Sequence, residues 1–447
     1  MQRAWVVIVG VLVACSGGPD DAARDGGSSG GRDGGPRDAG GAAICEAPRE
    51  MCGAACVDLA MDPAHCGGCD DACEAGQACI LGGCTAPFLP VQRYTIDDGG
   101  LDCDTQIPFW SQRFAVDRDQ RIYLGLVCDG EGYMATSTDR GESFQLHPMG
   151  LRNVQGFEVI ATDNGEAHVA AVTGEPLQGV LVYQRTTDGG ETWSPPRPVD
   201  LGPVNNAPFG YSGAFAVDGD EVYMSSQWVS DMETVRFWRA GERGGEPFVL
   251  TSTFAMDRTQ VWETDLVPDD DGLLFVWADD RNIPVRTETI MRSDDRAASF
   301  VMVEQRAMVG SAERRKLGDR IFYASPGGGI GYYDLGGDVS GYADSGAIDI
   351  RSNGGLTVFD DGRAFTVMHD GMPWHSETSQ FTERLYKYDA DTLTEVMPIA
   401  DTLDFLSAGR LYPGAYSNTH LFAVPGTGAL LMAYARDGNV HFEVLVP

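Results

Sequence analysis

Two stretches of this chain carry side chains whose types and spacing suit chemistry. Cys45, Cys52, Cys56, Cys66, Cys69, Cys73, Cys79 and Cys84 form a dense block. Thiols at that density either oxidise in pairs or hold zinc, and Cys66-Gly-Gly-Cys69 beside His65 has zinc-ligand spacing. The even count, and the scarcity of apolar residues between the cysteines, point to four disulfides that stand in for a core. Connectivity stays open, because eight cysteines can pair in many ways. The second stretch is His369–Arg384 (HDGMPWHSETSQFTER). Its Trp374 offers a ring that stacks on a sugar, and His369 and His375 offer imidazoles that titrate near neutrality. Neither stretch implies a cofactor, and we expect no resident metal ion.

Such groups act only if a scaffold positions them, and from about Val91 onward the sequence repeats one unit. Apolar alternation runs into a tight turn of Asp, Gly or Pro and then alternates again. The copies are Phe114–Gly125, Val159–Ala171, Ala214–Ser225, Asp265–Ala278, Ile321–Asp334, Leu356–Met368 and Leu421–Tyr434. Each reads as a β-hairpin, and their mean spacing of about 50 residues is that of a propeller blade. The predicted fold is all-β: a seven-bladed propeller over residues 91–447. The fifth and sixth copies are close together, so six blades with one irregular hairpin is the alternative. The last blade ends with Val440–Val446, one strand short, and Val91–Ile96 is the expected closing strand, which removes an exposed sheet edge.

A second motif follows two of the hairpins: Ser/Thr-x-Asp-x-Gly-x-x-aromatic. Ser137, Asp139, Gly141 and Phe144 form one copy; Thr186, Asp188, Gly190 and Trp193 form another. Ser293, Asp295 and Phe300 form a third, with Ala297 in the glycine position. The carboxylate can accept backbone N–H bonds, glycine tolerates positive φ, and the aromatic packs between strands. These strings resemble the Asp box of sialidases and related propellers. That resemblance implies a sialidase-like propeller with the boxes on outer turns, away from the binding face.

With the strands of each blade labelled A to D, the B–C and D–A loops share the other face. They bring Asp129, Glu131, Asp231, Asp279, Asp280, Arg281, Arg286, His369, Trp374, His375 and Arg436 to it as candidate binding residues. The same placement sets Cys103 and Cys128 together, where we expect a disulfide. The sialidase resemblance would further require three arginines around a substrate carboxylate, a Tyr–Glu nucleophile pair and an Asp acid/base. At the position of the family's first arginine motif stands Ser111-Gln112-Arg113-Phe114, without the following Ile-Pro. Arg281-Asn282-Ile283-Pro284 lies mid-chain with its proline displaced. No catalytic residue is assigned. The expected function is therefore non-catalytic binding of a glycan or protein. An exo-α-sialidase or related glycosidase is the alternative, and a structural or assembly lipoprotein is a third reading.

The 447-residue chain has a formal net charge of −34 and only two lysines, Lys316 and Lys387. That surface repels nucleic acid and anionic headgroups, so neither is expected as a partner. Arg3 precedes the apolar run Ala4–Ala14, which is shorter than the roughly 20 residues a bilayer span needs and fits a signal peptide. Leu12-Val13-Ala14-Cys15 resembles the bacterial lipobox, which implies an acylated Cys15, membrane contact through the lipid alone, and a place at the cell envelope, at the outer membrane or cell surface. Residues 16–44 are Gly-, Asp- and Ser-rich and read as a flexible tether reaching about 30 Å. The order is then a signal at 1–15, the tether at 16–44, a disulfide-rich module at 45–84 and the propeller at 91–447, in a monomer. Cys52–Cys84 resembles the stigma-specific cysteine-rich family, also met in myxobacterial lipoproteins, which implies an extracellular spacer or recognition module.

Overall fold

A strand with apolar residues at every position cannot lie on a surface; it must be covered on both faces. Ile122–Cys128 is buried along its whole length, and the fold meets that demand by placing its sheet between two others. The computed structural model describes residues 50–445 with gaps, the longest being 86–91, 105–113, 205–213, 256–261, 280–285, 309–313, 345–349, 371–380 and 404–419. Cys15, the tether and Cys45 lie outside the described residues.

The propeller has seven four-stranded antiparallel blades. Blade 1 runs from strand A, Phe114–Val116, through Ile122–Cys128 and Glu131–Ser137 to strand D, Gln145–Arg152. Cys103–Asp104 extends its inner edge by pairing with strand B. Blade 2 comprises Val154–Ala161, Ala167–Thr173, Gly179–Thr186 and Arg197–Val204; blade 3 comprises Phe215–Asp218, Glu221–Trp228, Asp231–Ala240 and Val249–Ala255. Blade 4 comprises Trp262–Asp269, Gly272–Asp279, Arg286–Ser293 and Val301–Met308; blade 5 comprises Arg314–Leu317, Arg320–Ser325, Gly329–Asp334 and Ser340–Asp344. Blade 6 comprises Ile350–Val358, Ala364–Asp370, Phe381–Asp389 and Thr392–Leu403. Blade 7 comprises His420–Ala423, Leu430–Arg436 and Asn439–Leu445, and its fourth strand is Gln92–Ile96 from the start of the propeller. Ile96 pairs with Val440 and Gln92 with Val444, so the ring closes as expected, with one chain end locked against the other.

Side chains alternate across each sheet, so one strand feeds two cores. In blade 1, Ile122, Leu124 and Leu126 pack on Leu431, Phe442 and Val444 of blade 7. The intervening Tyr123 and Val127 pack on Phe157 and Val159 of blade 2. The pattern repeats at every junction, giving seven inter-blade cores around the ring.

Blade 5 departs from the expected layout. Ile321–Asp334 is not an A–B hairpin; it is the B–C pair Arg320–Ser325 with Gly329–Asp334. Strand A is the short run Arg314–Leu317, joined to B across Gly318 at φ +57. Its three cations hide the apolar alternation, so the visible repeat in this blade lies one strand later than in the others. That shift accounts for the irregular spacing and decides seven blades over six.

The three Ser/Thr-x-Asp turns each join strands C and D and share one hydrogen-bond pattern. Asp139 accepts from the Ser137 hydroxyl (2.7 Å), the Ser143 amide (2.9 Å) and the Ser143 hydroxyl (2.6 Å), while the Gly141 amide donates to Ser137. Asp188 accepts in the same way from Thr186 and Thr192, and Asp295 from Ser293 and Ser299. Ala297 keeps the geometry at φ +63 despite its Cβ. Gly141 has a second reason to be glycine: at φ +89 a Cβ there would fall 2.2 Å from the Phe442 ring. The aromatic of each turn reaches back to the preceding blade, as Phe144 does to Phe442 and Phe300 to Phe237. The blade 3 turn Glu242–Gly244 lacks the motif but does likewise, with Phe248 edge-on to Tyr183 of blade 2.

Before the propeller, the hairpins Glu50–Cys52/Ala55–Val57 and Ala78–Ile80/Gly83–Thr85 are tied by disulfides Cys52–Cys69, Cys66–Cys79 and Cys73–Cys84. Cys56 is disulfide-bonded as well.

Phe442→Ala, which opens the closing core, is expected to cost about 3–5 kcal/mol in urea unfolding. Met302→Ala, on the exposed outer strand of blade 4, should stay within about 0.5 kcal/mol. Asp139→Ala strands three donors at one turn and should cost about 1–3 kcal/mol.

Candidate functional site

The expected binding face divides into a described part and an undescribed part. Asp280, Arg281, Trp374 and His375 lie outside the described residues. Asp279, Arg286, His369 and Arg436 sit at strand ends toward the B–C loops of blades 4, 6 and 7, and their side chains also lie outside the description. The described members prove structural. Asp129 (φ +52) and Gly130 (φ +79) make a two-residue turn with both φ positive, which matches the twist of strands B and C in blade 1. Glu131 faces Arg152 at 3.4 Å between exposed side chains, a pairing of little energetic weight. Asp231 is held by Arg236 at 2.6 Å, and hydrogen bonds from Thr234 and Arg236 keep its carboxyl below the usual range. Cys103 and Cys128 stand opposite in register and form a disulfide at the edge of this face.

Trp228 on the same face looks like a stacking ring and is not one. Arg236 covers one side, with its guanidinium 3.9 Å from the ring centroid. Backbone at Gly202 approaches the ring so closely that a Cβ there would lie 2.1 Å from it. The indole N–H donates to the buried Asp200 at 2.9 Å, which also accepts from Ser226.

The inner strands supply a site that reasoning from loops overlooked. Blades 2 to 5 enclose a cavity of about 240 Å³ lined by Glu158, Thr264, Asp265, Arg314, Arg315 and Lys316, among others. The Thr264 hydroxyl is buried and has no protein partner. Lys316 pairs with Asp269 at 2.8 Å. Arg314, almost fully buried, bonds Asp265 at 2.8 Å and Glu288 at 3.3 Å. Tyr333 donates its hydroxyl to the same Glu288 oxygen. This is a Tyr–Glu contact with an arginine beside it, but Glu288 is 0% and Tyr333 1% exposed. The three lock blade 4 to blade 5: Arg314 reaches the cavity wall, while Tyr333 and Glu288 are buried and are not among the residues lining that cavity. The sequence signal for this wall was the run Arg314-Arg315-Lys316 in so acidic a chain.

On the opposite face, His168 is fully buried between strands of blade 2. It shares a 2.7 Å hydrogen bond with the Tyr183 hydroxyl, which donates to the Arg243 carbonyl. With the tyrosine proton committed to that carbonyl, Nδ1 must donate to the hydroxyl, and burial keeps the ring neutral. Desolvation first, then the nearby Arg185 and Arg243 charges, push its pKa down to about 3.

With this geometry established, comparison with known proteins places the module first. Residues 39–87 match the Stigma-specific STIG1-like protein family, so the chain joins a module of that type to a seven-bladed propeller. No curated protein matches the chain. A chain of the mitotic checkpoint complex is similar at 11% identity, with TM-score 0.48, over 80% of this chain and 91% of that one. YCF48 bound to D1 peptide gives 11%, 0.44, 81% and 97% in the same order. Trypanosoma rangeli sialidase gives 10%, 0.40, 75% and 55%. These are likenesses of fold.

The His168 environment sets a pH dependence. An unfolded histidine titrates near 6.5 and this one near 3, so the unfolded chain binds the extra proton between those values. Stability is full above pH 6.5 and falls as pH drops toward 3, by up to about 1.4 kcal/mol per pH unit. His168→Gln should flatten that part of a urea-derived stability curve. A variant curve as steep as the parent's would show that other groups set it.

Proposed function

We propose that this chain is an exported, lipid-anchored protein of the cell envelope, whose Asp-box propeller binds a glycan or a polar protein surface without turning it over. The observation that carries the reading is the burial of Tyr333 and Glu288. The Tyr333–Glu288 contact is sealed between blades, where its charge network holds the fold together and cannot attack a sugar, and the Tyr123–Asp117 contact is buried as well. The axial cavity supports binding. It combines both signs of charge with an unpartnered hydroxyl, a lining that suits a hydroxyl-rich terminal residue of a glycan. Disulfides in the cysteine module fit an oxidising, extracytoplasmic location, as does the lipobox-like sequence Leu12–Cys15. The acidic surface favours a neutral or basic partner over nucleic acid.

The test uses the protein on a glycan array and against a fluorogenic sialoside. We expect binding without hydrolysis. Arg315→Gln in the axial wall and Trp374→Ala in the blade 6 loop separate the two candidate contact regions, and at least one should weaken binding by roughly tenfold. Hydrolysis that Tyr333→Phe abolishes would make the protein a glycosidase and overturn the proposal.

A further inference from the structure

The cysteine module holds a sulfur cluster that binding by the propeller does not use. Cys79 and Cys84 face each other in register across the hairpin Ala78–Ile80/Gly83–Thr85, and their bridges run to Cys66 and Cys73. The sulfurs of Cys66, Cys73 and Cys84 lie within 4.8 Å of one another, and the Cys79 sulfur is bonded to that of Cys66. Two adjacent bridges thus gather four sulfurs at one point. Exposure is graded across them: Cys84 is exposed and Cys73 half-buried, while Cys66 and Cys79 are buried.

A tetrahedral zinc site with Zn–S bonds of about 2.3 Å sets its sulfurs about 3.8 Å apart. The bonded pairs would separate to that distance, and the unbonded pairs among Cys66, Cys73 and Cys84 would close by about 1 Å at most. The backbone around the ligands has support besides the bridges. The Cys66 amide donates to Asp71 at 2.6 Å, Gly67 to Leu59 at 2.7 Å and Cys73 to Pro63 at 2.8 Å. Asp70, Asp71 and Glu74 flank the cluster and attract cations.

We propose that this cluster is a reductant-gated zinc site: once a dithiol opens both bridges, Cys66, Cys73, Cys79 and Cys84 bind one Zn²⁺ as four thiolates. The exposed Cys73–Cys84 bridge reacts first. A dithiol thiolate attacks it, forms a mixed disulfide and closes to its own cyclic disulfide, leaving two protein thiols. A thiolate freed there sits within 4.8 Å of the Cys66 sulfur. Its attack forms a new bond to Cys66 and expels Cys79 as thiolate, which carries the reduction inward. A second dithiol resolves the new bridge. In all, four electrons and four protons enter as two dithiols become disulfides, and zinc then displaces the four protons. With four protein ligands the site is closed, so zinc holds the reduced module together and performs no catalysis.

The test takes the full chain, oxidised or treated with a dithiol and desalted without oxygen, and adds Co²⁺ followed by Zn²⁺. The reduced chain should bind one Co²⁺ with thiolate charge-transfer and tetrahedral d–d bands, and one equivalent of Zn²⁺ should erase them. The oxidised chain should show neither. Cys79→Ser should weaken Co²⁺ binding by roughly tenfold or more, whereas the Cys52→Ser/Cys69→Ser double variant should keep the bands. Alkylation of the unaltered chain gives a readout free of folding defects: zinc should protect Cys66, Cys73, Cys79 and Cys84 while Cys52 and Cys69 react. A reduced chain without those bands, or equal alkylation of all six cysteines with zinc present, would overturn the proposal and leave the bridges purely structural.

Discussion

Every blade of this protein depends on its neighbours, because a sheet with two apolar faces has no stable existence in water. Ile122 and Leu124 need blade 7, while Tyr123 needs blade 2, and no blade can satisfy both demands alone. The last interface forms only when Gln92–Ile96 lies against Asn439–Leu445. Closure therefore joins residues more than three hundred positions apart, and it removes the exposed edge that an incomplete seventh blade would leave.

The turns on one face act as fasteners for that ring. Carboxylates Asp139, Asp188 and Asp295 each gather hydroxyl and amide donors from a few neighbouring residues. Desolvation opposes the charge on Asp139, but the hydrogen bonds from Ser143 and Ser137 outweigh it and keep its carboxyl below the usual range. Because each turn's aromatic lands on the preceding blade, local turn chemistry becomes inter-blade packing. Glu242–Gly244 shows that the packing, and not the motif, is what the architecture requires.

Charge near the axis behaves differently from charge at the rim. Arg314 and Glu288 have left water, and an unpaired ion there would be costly, so each answers the other, and the half-buried Asp265 also pairs with Arg314. A Tyr–Glu pair with an arginine beside it has the composition of a catalytic group. Burial between blades makes it a lock, since chemistry needs access as well as the right residues.

Much of this was legible from residues alone. Apolar alternation around tight turns determines β-hairpins, their repetition determines a propeller, and the missing last strand determines that Val91–Ile96 must close it. Cysteine density determines a bridged module. These features follow from local periodicity and counting, which one dimension carries completely. Blade 5 escaped because three cations in Arg314–Leu317 break the alternation that marks a strand. The axial wall escaped for a related reason: Glu158, Ala216, Thr264 and Arg315 come from four different blades, and only the ring makes them neighbours. Which cysteines pair, whether Trp228 is free to stack, and whether Glu288 meets water are likewise decided by three-dimensional proximity and desolvation, which no local pattern encodes.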